Sequence, residues 1–548
     1  MLKQYIVDLK NEFKGYNCEK LSQDMLAGLT VTAVALPLAL AFGVSSGADA
    51  AAGLITAIIS GILMSTLSGA SYQISGPTGA MTAILIGLVA QYKMEGVFIA
   101  TAIAGIILLI AGVFKIGKLI SLIPAPVITG FTSGIAIIIA TGQIDNFFGV
   151  VSEGTNTIDK MMSYGELGFS PNIYAVGIGI LVITIMLAWP KKWNSKIPSS
   201  LVGIIVALGV SLVIKADVAV VGDIPKTLLP TTRLHISDLS FEKIRPLLSA
   251  AVSIAALGMI ESLLCGASAG RMKNEKLNGD RELIAQGIGN MVIPFFGGVP
   301  STAAIARTSV AIKSGAVTRL TGVFHAVGLL ISMFLLGDIM SKIPLAALAG
   351  VLMVTAWRMN EWESIKLIFS KKLKTAIAQF IITMLATILF DLTIAIMLGV
   401  VFSICFFMVN ISGIEINLVD IDPQRLANKN HKINKYNTTK VAYLTGPVFF
   451  TTTDRIKEEL ATLEGIEYII LSMRGVPLID ATGIQAFEEI DELLTNRGIS
   501  LLFSGVQPKV NKLMERSGLV EKLGQDRFFW DVEQSLMAIG NEDLKIQA

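Results

Sequence analysis

The chain has 548 residues, 53% of them hydrophobic and only 16% charged, and its mean hydropathy of +0.67 lies beyond the range of ordinary soluble domains. A formal net charge of +2 argues against a nucleic-acid partner and leaves the lipid bilayer as the expected surroundings. Cys18, Cys265 and Cys405 have no metal-ligand spacing, and His235, His325 and His431 are far apart in the chain. No disulfide, metal centre, organic cofactor or enzymatic site is therefore expected.

The amino-terminal stretch MLKQYIVDLKNEFKGYNCEK is mixed in charge and has no apolar core, so residues 1–24 read as a cytoplasmic segment without a signal peptide. Apolar segments then recur across 25–410, near 25–44, 51–68, 76–90, 97–114, 119–141, 173–189 and 197–216, then 248–267, 282–297, 303–313, 319–340, 343–358, 373–390 and 392–409. Fourteen spans place both termini on one side. The connections on that side, with Lys115, Lys118, Lys191, Lys192, Lys196, Arg271, Arg281, Arg319 and Arg358 among their residues, carry about twice the basic residues of the other side, so both termini are read as cytoplasmic.

Only two segments are conspicuously short. One follows Gly76-Pro77 in YQISGPTGAMTAILIGLVA, and the other follows Pro300 in PFFGGVPSTAAIARTSVAIKSG. They are third of the first seven and third of the second seven, the pattern of two seven-helix repeats of opposite topology that each contribute a half-helix starting near the midplane. A helix amino terminus at that depth leaves up to four N–H groups without intrahelical partners. An anion satisfies both those donors and the helix dipole. Either proline on its own can merely kink a continuous helix, but a matched pair, each with Gly and Ser or Thr beside it, favours a binding site. Arg307 adds to this: it sits early in a segment of Ala, Ile, Ser, Thr and Val, where central burial costs about 2.5–3.5 kcal/mol even on a lenient scale. A structural ion pair with a buried carboxylate is the alternative role.

ALPLALAFG at 35–43, ISGPTGAMT at 74–82, LIPAPVITGFTSGIAI at 122–137, ALGMIESLL at 256–264 and IGNMVIPFFGGVPSTAAIARTSV at 288–310 together resemble the sulfate permease (SulP) family, whose animal members form solute carrier family 26. The resemblance implies an all-α membrane domain of fourteen segments, divided into core and gate parts, that works as an elevator and usually as a homodimer. Carried over by position, the implied substrate residues are Phe42 in the first helix, Pro77, Thr78 and Gly79 at the head of the third, and Ile305, Ala306 and Arg307 at the head of the tenth. Many members have Gln or Glu after the proline of the first helix; here Leu38 follows Pro37, so a polar contact made there is absent. Glu261, with no other ionisable residue between Arg245 and Arg271, is expensive unless paired or hydrated. It matches a position that is acidic in members moving anions with a proton or sodium, and is the candidate for ion coupling.

After a polar linker at 411–436 the rhythm changes. KVAYLTGPVFF, YIILSM and ISLLFSGV read as strands and TTDRIKEELATL and TGIQAFEEIDELLTNR as helices, a compact α/β domain over 437–548. It resembles the STAS domain, and PLIDATGIQAF at 477–487 matches that domain's Asp-x-Ser/Thr-Gly loop. Thr482 falls where related antagonists are phosphorylated, so Asp480 and Thr482 are possible regulatory residues facing a cytoplasmic protein partner; the plainer role is helix capping. The whole is expected to be a secondary active anion transporter of a bacterial inner membrane. Sulfate ranks first, C4-dicarboxylate close behind and bicarbonate third, with an uncoupled anion channel or a nucleobase permease as alternatives.

Overall fold

Short polar side chains and prolines set where the helices begin in the computed structural model, which describes residues 2–117, 124–153, 157–190, 197–390, 392–422 and 436–540. After α1 (Leu2–Glu12), Asn17 caps α2 (Cys18–Ser45) by accepting from the Lys20 amide at 3.0 Å. Asp49 caps α3 (Ala50–Leu67) through the Ala52 amide at 2.6 Å. Strand β1 (Ser75–Gly76) leads into α4 (Gly79–Val113), which is two limbs joined at Lys93, where φ is 56°. The expected segments at 76–90 and 97–114 are those limbs. Pro124 opens α5 (Ala125–Gly142), followed by the short α6 (Ile144–Phe148) and α7 (Thr157–Leu167). Asn172 caps α8 (Ile173–Ala188), and Pro198 opens α9 (Ser199–Ile214).

The second half repeats the plan. α10 (Phe241–Lys273) and α11 (Gly279–Val292) precede β2 (Thr302–Ala303) and a short α12 (Ile305–Lys313). Then come α13 (Leu320–Met340), α14 (Leu345–Met359) starting at Pro344, an amphipathic α15 (Trp362–Ser370), α16 (Lys374–Leu389) and α17 (Leu392–Ile411). Among the described residues, six helices are long and apolar enough to cross a membrane, and five shorter apolar helices accompany them. Lys118, Lys191, Lys192, Lys196 and His431, and residues 423–435 of the polar linker, lie outside the described residues.

Two helix groups pack side by side. In one, α4 lies on α10 and α11 while α13 lies on α2 and α3; in the other, α5 packs on α16 and α14, and α8 on α14 and α9. The first group approaches backbone to backbone. A Cβ placed on Gly105 of α4 would lie 2.7 Å from the Gly287 carbonyl oxygen of α11, and one on Gly287 would lie 2.8 Å from that of Gly105. Small residues at a crossing are how helices pack closely where the hydrophobic effect does not drive them together.

The amino-terminal segment is tied into this group. Arg319, at the start of α13, donates from Nε and Nη2 to Glu12 Oε2 at 2.9 and 2.7 Å, and from Nη1 to the carbonyls of Thr66 and Ser68. Arg281 pairs with Asp8 at 2.7 Å, and the Tyr5 hydroxyl donates to Thr66 O at 2.6 Å. Asp24, fully buried in α2, accepts from the amides of Val317 and Thr318 and the hydroxyls of Thr318, Thr321 and Tyr16. Burial and this carboxylate push the Tyr16 phenol up to about 12, so it remains a donor at ordinary pH. Residues 1–24, read as a separate segment, thus include α1 and the first turns of α2.

The second compact unit, Ile404–Ala548, holds one five-stranded sheet in the order β3 (Glu415–Asp420), β4 (Thr439–Thr445), β5 (Tyr468–Gly475), β6 (Ser500–Ser504), β7 (Phe528–Phe529). The first pair is antiparallel and the rest parallel. Strand β3 falls within the stretch read as linker; its six-residue register with β4 extends the folded unit back beyond residue 437. Helices α18 (Thr453–Ala461) and α19 (Ala481–Thr495) lie where expected. Three more, α20 (Pro508–Arg516), α21 (Leu519–Leu523) and α22 (Val532–Gly540), complete the unit.

Candidate functional site

The site grows from two chain breaks that meet. β1 and β2 pair antiparallel, Ser75 opposite Ala303 and Gly76 opposite Thr302, and a further bond runs from the Ala304 amide to Ile74 O at 2.9 Å. Because the strands run in opposite directions, the helices that follow them leave the meeting point in opposite directions. The first limb of α4 and the nine-residue α12 are each too short, at about 21 and 14 Å, to cross a ~30 Å hydrocarbon layer alone. Their amino termini are therefore held together at depth by backbone hydrogen bonds.

Around these termini lies a cavity of about 390 Å³. Phe42, Pro77, Thr78, Gly79, Glu261, Ile305, Ala306 and Arg307 all line it, so the structure brings together the residues expected to hold the substrate and the coupling ion. Leu38 lines it too, leaving that part of the wall apolar. Arg307 is 1% exposed and its Nη2 donates to the Pro77 carbonyl at 3.0 Å, bridging the head of α12 to the head of α4. Its Nη1 is buried without a hydrogen-bond partner. The ion-paired arginines among the described residues are Arg281, Arg319 and Arg527, and Arg307 is not one of them. The guanidinium lies over Gly76, where a Cβ would sit 1.9 Å from Nη1; only glycine leaves it that space.

Glu261 accepts from the Thr78 hydroxyl at 2.8 Å and forms no ion pair with Arg307 among the described residues. Its neighbour Ser262 fixes α10 to β2: the Ser262 and Thr302 hydroxyls are 2.9 Å apart, and the Ala303 amide donates to Ser262 Oγ at 3.2 Å. The carboxylate and the guanidinium thus face one cavity from separate anchors. His325 is fully buried in α13 with no hydrogen-bond partner on either ring nitrogen.

Sequence reasoning missed the opposite wall. Ser199 and Ser200 in the first turn of α9, Thr132 of α5, and Thr355 and Arg358 of α14 line the same cavity, and Arg358 donates to the Met186 carbonyl at 2.7 Å. The available signal was Pro198-Ser199-Ser200, a helix start with hydroxyls. Arg358 had been counted only as a charge in a connection. In the second unit, Asp480 caps α19 by accepting from the Gly483 amide at 2.8 Å, and Thr482 is exposed in the first turn.

Comparisons with known proteins agree with this architecture. Residues 21–386 match the sulfate permease family and residues 430–535 the STAS domain. A Bacillus subtilis protein with a provisional sulfate-transporter name, YvdB, is 35% identical over 94% of this chain and 97% of its own. The bicarbonate transporter BicA of Picosynechococcus is 29% identical over 94% of each chain. Among solved structures, the transmembrane domain of a cyanobacterial BicA covers 71% of this chain and 98% of its own at 28% identity, with a TM-score of 0.63. Murine Slc26a9, in an inward-facing state, shares the fold with a TM-score of 0.83 over 95% of this chain and 92% of its own at 16% identity. A helical membrane domain with two broken helices meeting at an arginine, followed by a STAS domain, places this chain in the sulfate permease family.

Proposed function

We propose that this protein is a secondary active anion transporter that holds its substrate between the heads of α4 and α12. The observation that carries the reading is Arg307: a buried cation with an unpartnered donor, beside two helix amino termini and without an ion-paired carboxylate among the described residues. A small oxyanion supplies the missing acceptor, and the fixed charge and both dipoles favour it. The relatives named for sulfate and bicarbonate support an oxyanion. Sulfate remains the first choice, the BicA likeness favours bicarbonate as a second reading, and the apolar wall at Leu38 and Ile260 also accepts a C4-dicarboxylate.

Glu261, held by Thr78 at the head of α4, carries the coupling proton or sodium, so that its charge state and anion occupancy are felt at the same helix terminus. The helix group bearing the site moves past the group of α5, α8, α9, α14 and α16 to expose the anion alternately, with both termini cytoplasmic and two copies assembled as a homodimer. The STAS unit serves assembly or regulation. Purified protein in liposomes should take up labelled sulfate, bicarbonate or succinate saturably under an imposed pH or sodium gradient. Thr78→Trp should block uptake by filling the site. Normal uptake by that variant would place the path elsewhere, and non-saturating flux in the wild type would make the protein a channel.

A further inference from the structure

A second and larger cavity, of about 820 Å³, lies along the same helices. Its wall comes from the far end of the first limb of α4 (Gln91, Tyr92), the end of α5 (Ile138, Thr141), the start of α10 (Ser249, Ser253), the end of α16, and α7. By the loop-charge assignment these are the ends facing away from the cytoplasm. The site cavity instead reaches Met186, Ser200 and Arg358 at the opposite ends.

The two spaces nearly meet. On α4, Gly79 lines the site and Ala83 the larger cavity, one turn or about 6 Å apart. On α5 the change comes between Ile135 and Ile138. Ile139 stands in the gap. It is 4% exposed, and a Cβ placed on Gly79 would lie 2.3 Å from its Cδ1 and 3.2 Å from Cε1 of Phe42, so two apolar side chains close on bare backbone at the head of α4.

Among the described residues, the lining of the larger cavity has hydroxyls and an amide but no carboxylate, and Lys160 of α7 is its sole charged side chain. The ion-paired cations of this unit among the described residues are Lys226, Lys243, Lys273, Arg281 and Arg319, not Lys160. We infer that this cavity is an outer antechamber that collects a small oxyanion on Lys160 and is separated from the Arg307 site by an apolar closure in which Ile139, packed with Phe42 over Gly79, is the plug. A lone fixed cation in a walled cleft raises the local anion concentration, and an apolar plug denies a hydrated ion passage.

The inference rests on the anion-carrier reading for its purpose, but one arm of the test does not need transport. In intact cells expressing the full chain with Cys18 and Cys405 changed to Ser, Gln91→Cys is labelled from outside with 2-sulfonatoethyl or 2-(trimethylammonium)ethyl methanethiosulfonate. Lys160 should favour the anionic reagent, and Lys160→Gln should lower the anionic-to-cationic rate ratio roughly 3-fold or more. An unchanged ratio, or no labelling from outside, overturns the antechamber whether or not the protein transports. In liposomes, Lys160→Glu should raise KM for externally added sulfate in a way that vanishes at high ionic strength, and Ile139→Ala should add a sulfate leak independent of the gradient. A tight Ile139→Ala membrane overturns the plug; a wild type inert to every oxyanion tested overturns the carrier reading alone.

Discussion

Arg307, in the first turn of α12, and Arg319, at the start of α13, are both almost wholly buried and are solvated by the protein in opposite ways. Arg319 makes four hydrogen bonds: a carboxylate takes two of its nitrogens and two backbone carbonyls take a third. Arg307 has one carbonyl and an idle donor. The carboxylates divide likewise, with Asp24 enclosed by five donors and Glu261 held by one hydroxyl. Arg319 and Asp24, which tie the fold together, thus have the fuller sets of partners, although the ion-paired Arg281 also keeps a buried Nε without one, while Arg307 and Glu261 have a single partner each.

That contrast breaks most visibly at Arg319. Arg319→Ala strands Glu12 in a nearly closed pocket (11% exposed) and should cost about 3–5 kcal/mol of stability, seen as a large fall in melting temperature in detergent. The anion affinity of whatever folds should be unchanged. Arg307→Ala should do the reverse, weakening sulfate or bicarbonate binding roughly 10- to 100-fold in an equilibrium binding measurement while the melting temperature moves much less. If both variants lose stability equally, Arg307 belongs with the structural charges.

The carboxylates give the next test. Asp24→Asn keeps the shape but exchanges an acceptor for a donor facing amides, so about 2 kcal/mol of stability should be lost in chemical or thermal unfolding. Glu261→Gln should unfold like the wild type and still exchange anion across liposomes, yet fail to concentrate it against a gradient. Retained accumulation with unchanged pH and sodium dependence would remove Glu261 from coupling. The smallest effect belongs to the second unit. Asp480→Ala removes the cap of α19 and should cost about 1 kcal/mol in an isolated residues 404–548 fragment. The ranking of competing anions in the intact transporter should not change, even after deletion of 437–548.

Why the sequence singles out one arginine and not the other is a matter of range. Gly76-Pro77 and Pro300 disclose the two broken helices because proline and glycine act on their own stretch of backbone, and Arg307 stands out because an apolar segment surrounds it. Arg319 sits at a segment end and reads as one more cytoplasmic charge; its partners, Glu12, Thr66 and Ser68, come from the far end of the chain. The same blindness hid α1, whose mixed charges look solvent-facing until Tyr5, Asp8 and Glu12 are seen docked, and the wall formed by Ser200 and Arg358. In the second unit β4, β5 and β6 were legible as apolar runs. β3 was not, because its burial pattern is mostly exposed and only its register with β4 makes it a strand.

The two-rung ladder between Ser75–Gly76 and Thr302–Ala303 sets how such a site can open. Its halves are hooked together backbone to backbone like a clasp, so they cannot part to release what they hold without breaking hydrogen bonds that no water at that depth would replace. In the transport cycle proposed above, release falls to the facing wall of Phe131, Ser200 and Arg358, which withdraws while the clasp stays shut. On that proposal the grip on the anion is carried unchanged from state to state, and only the side to which the site opens is exchanged.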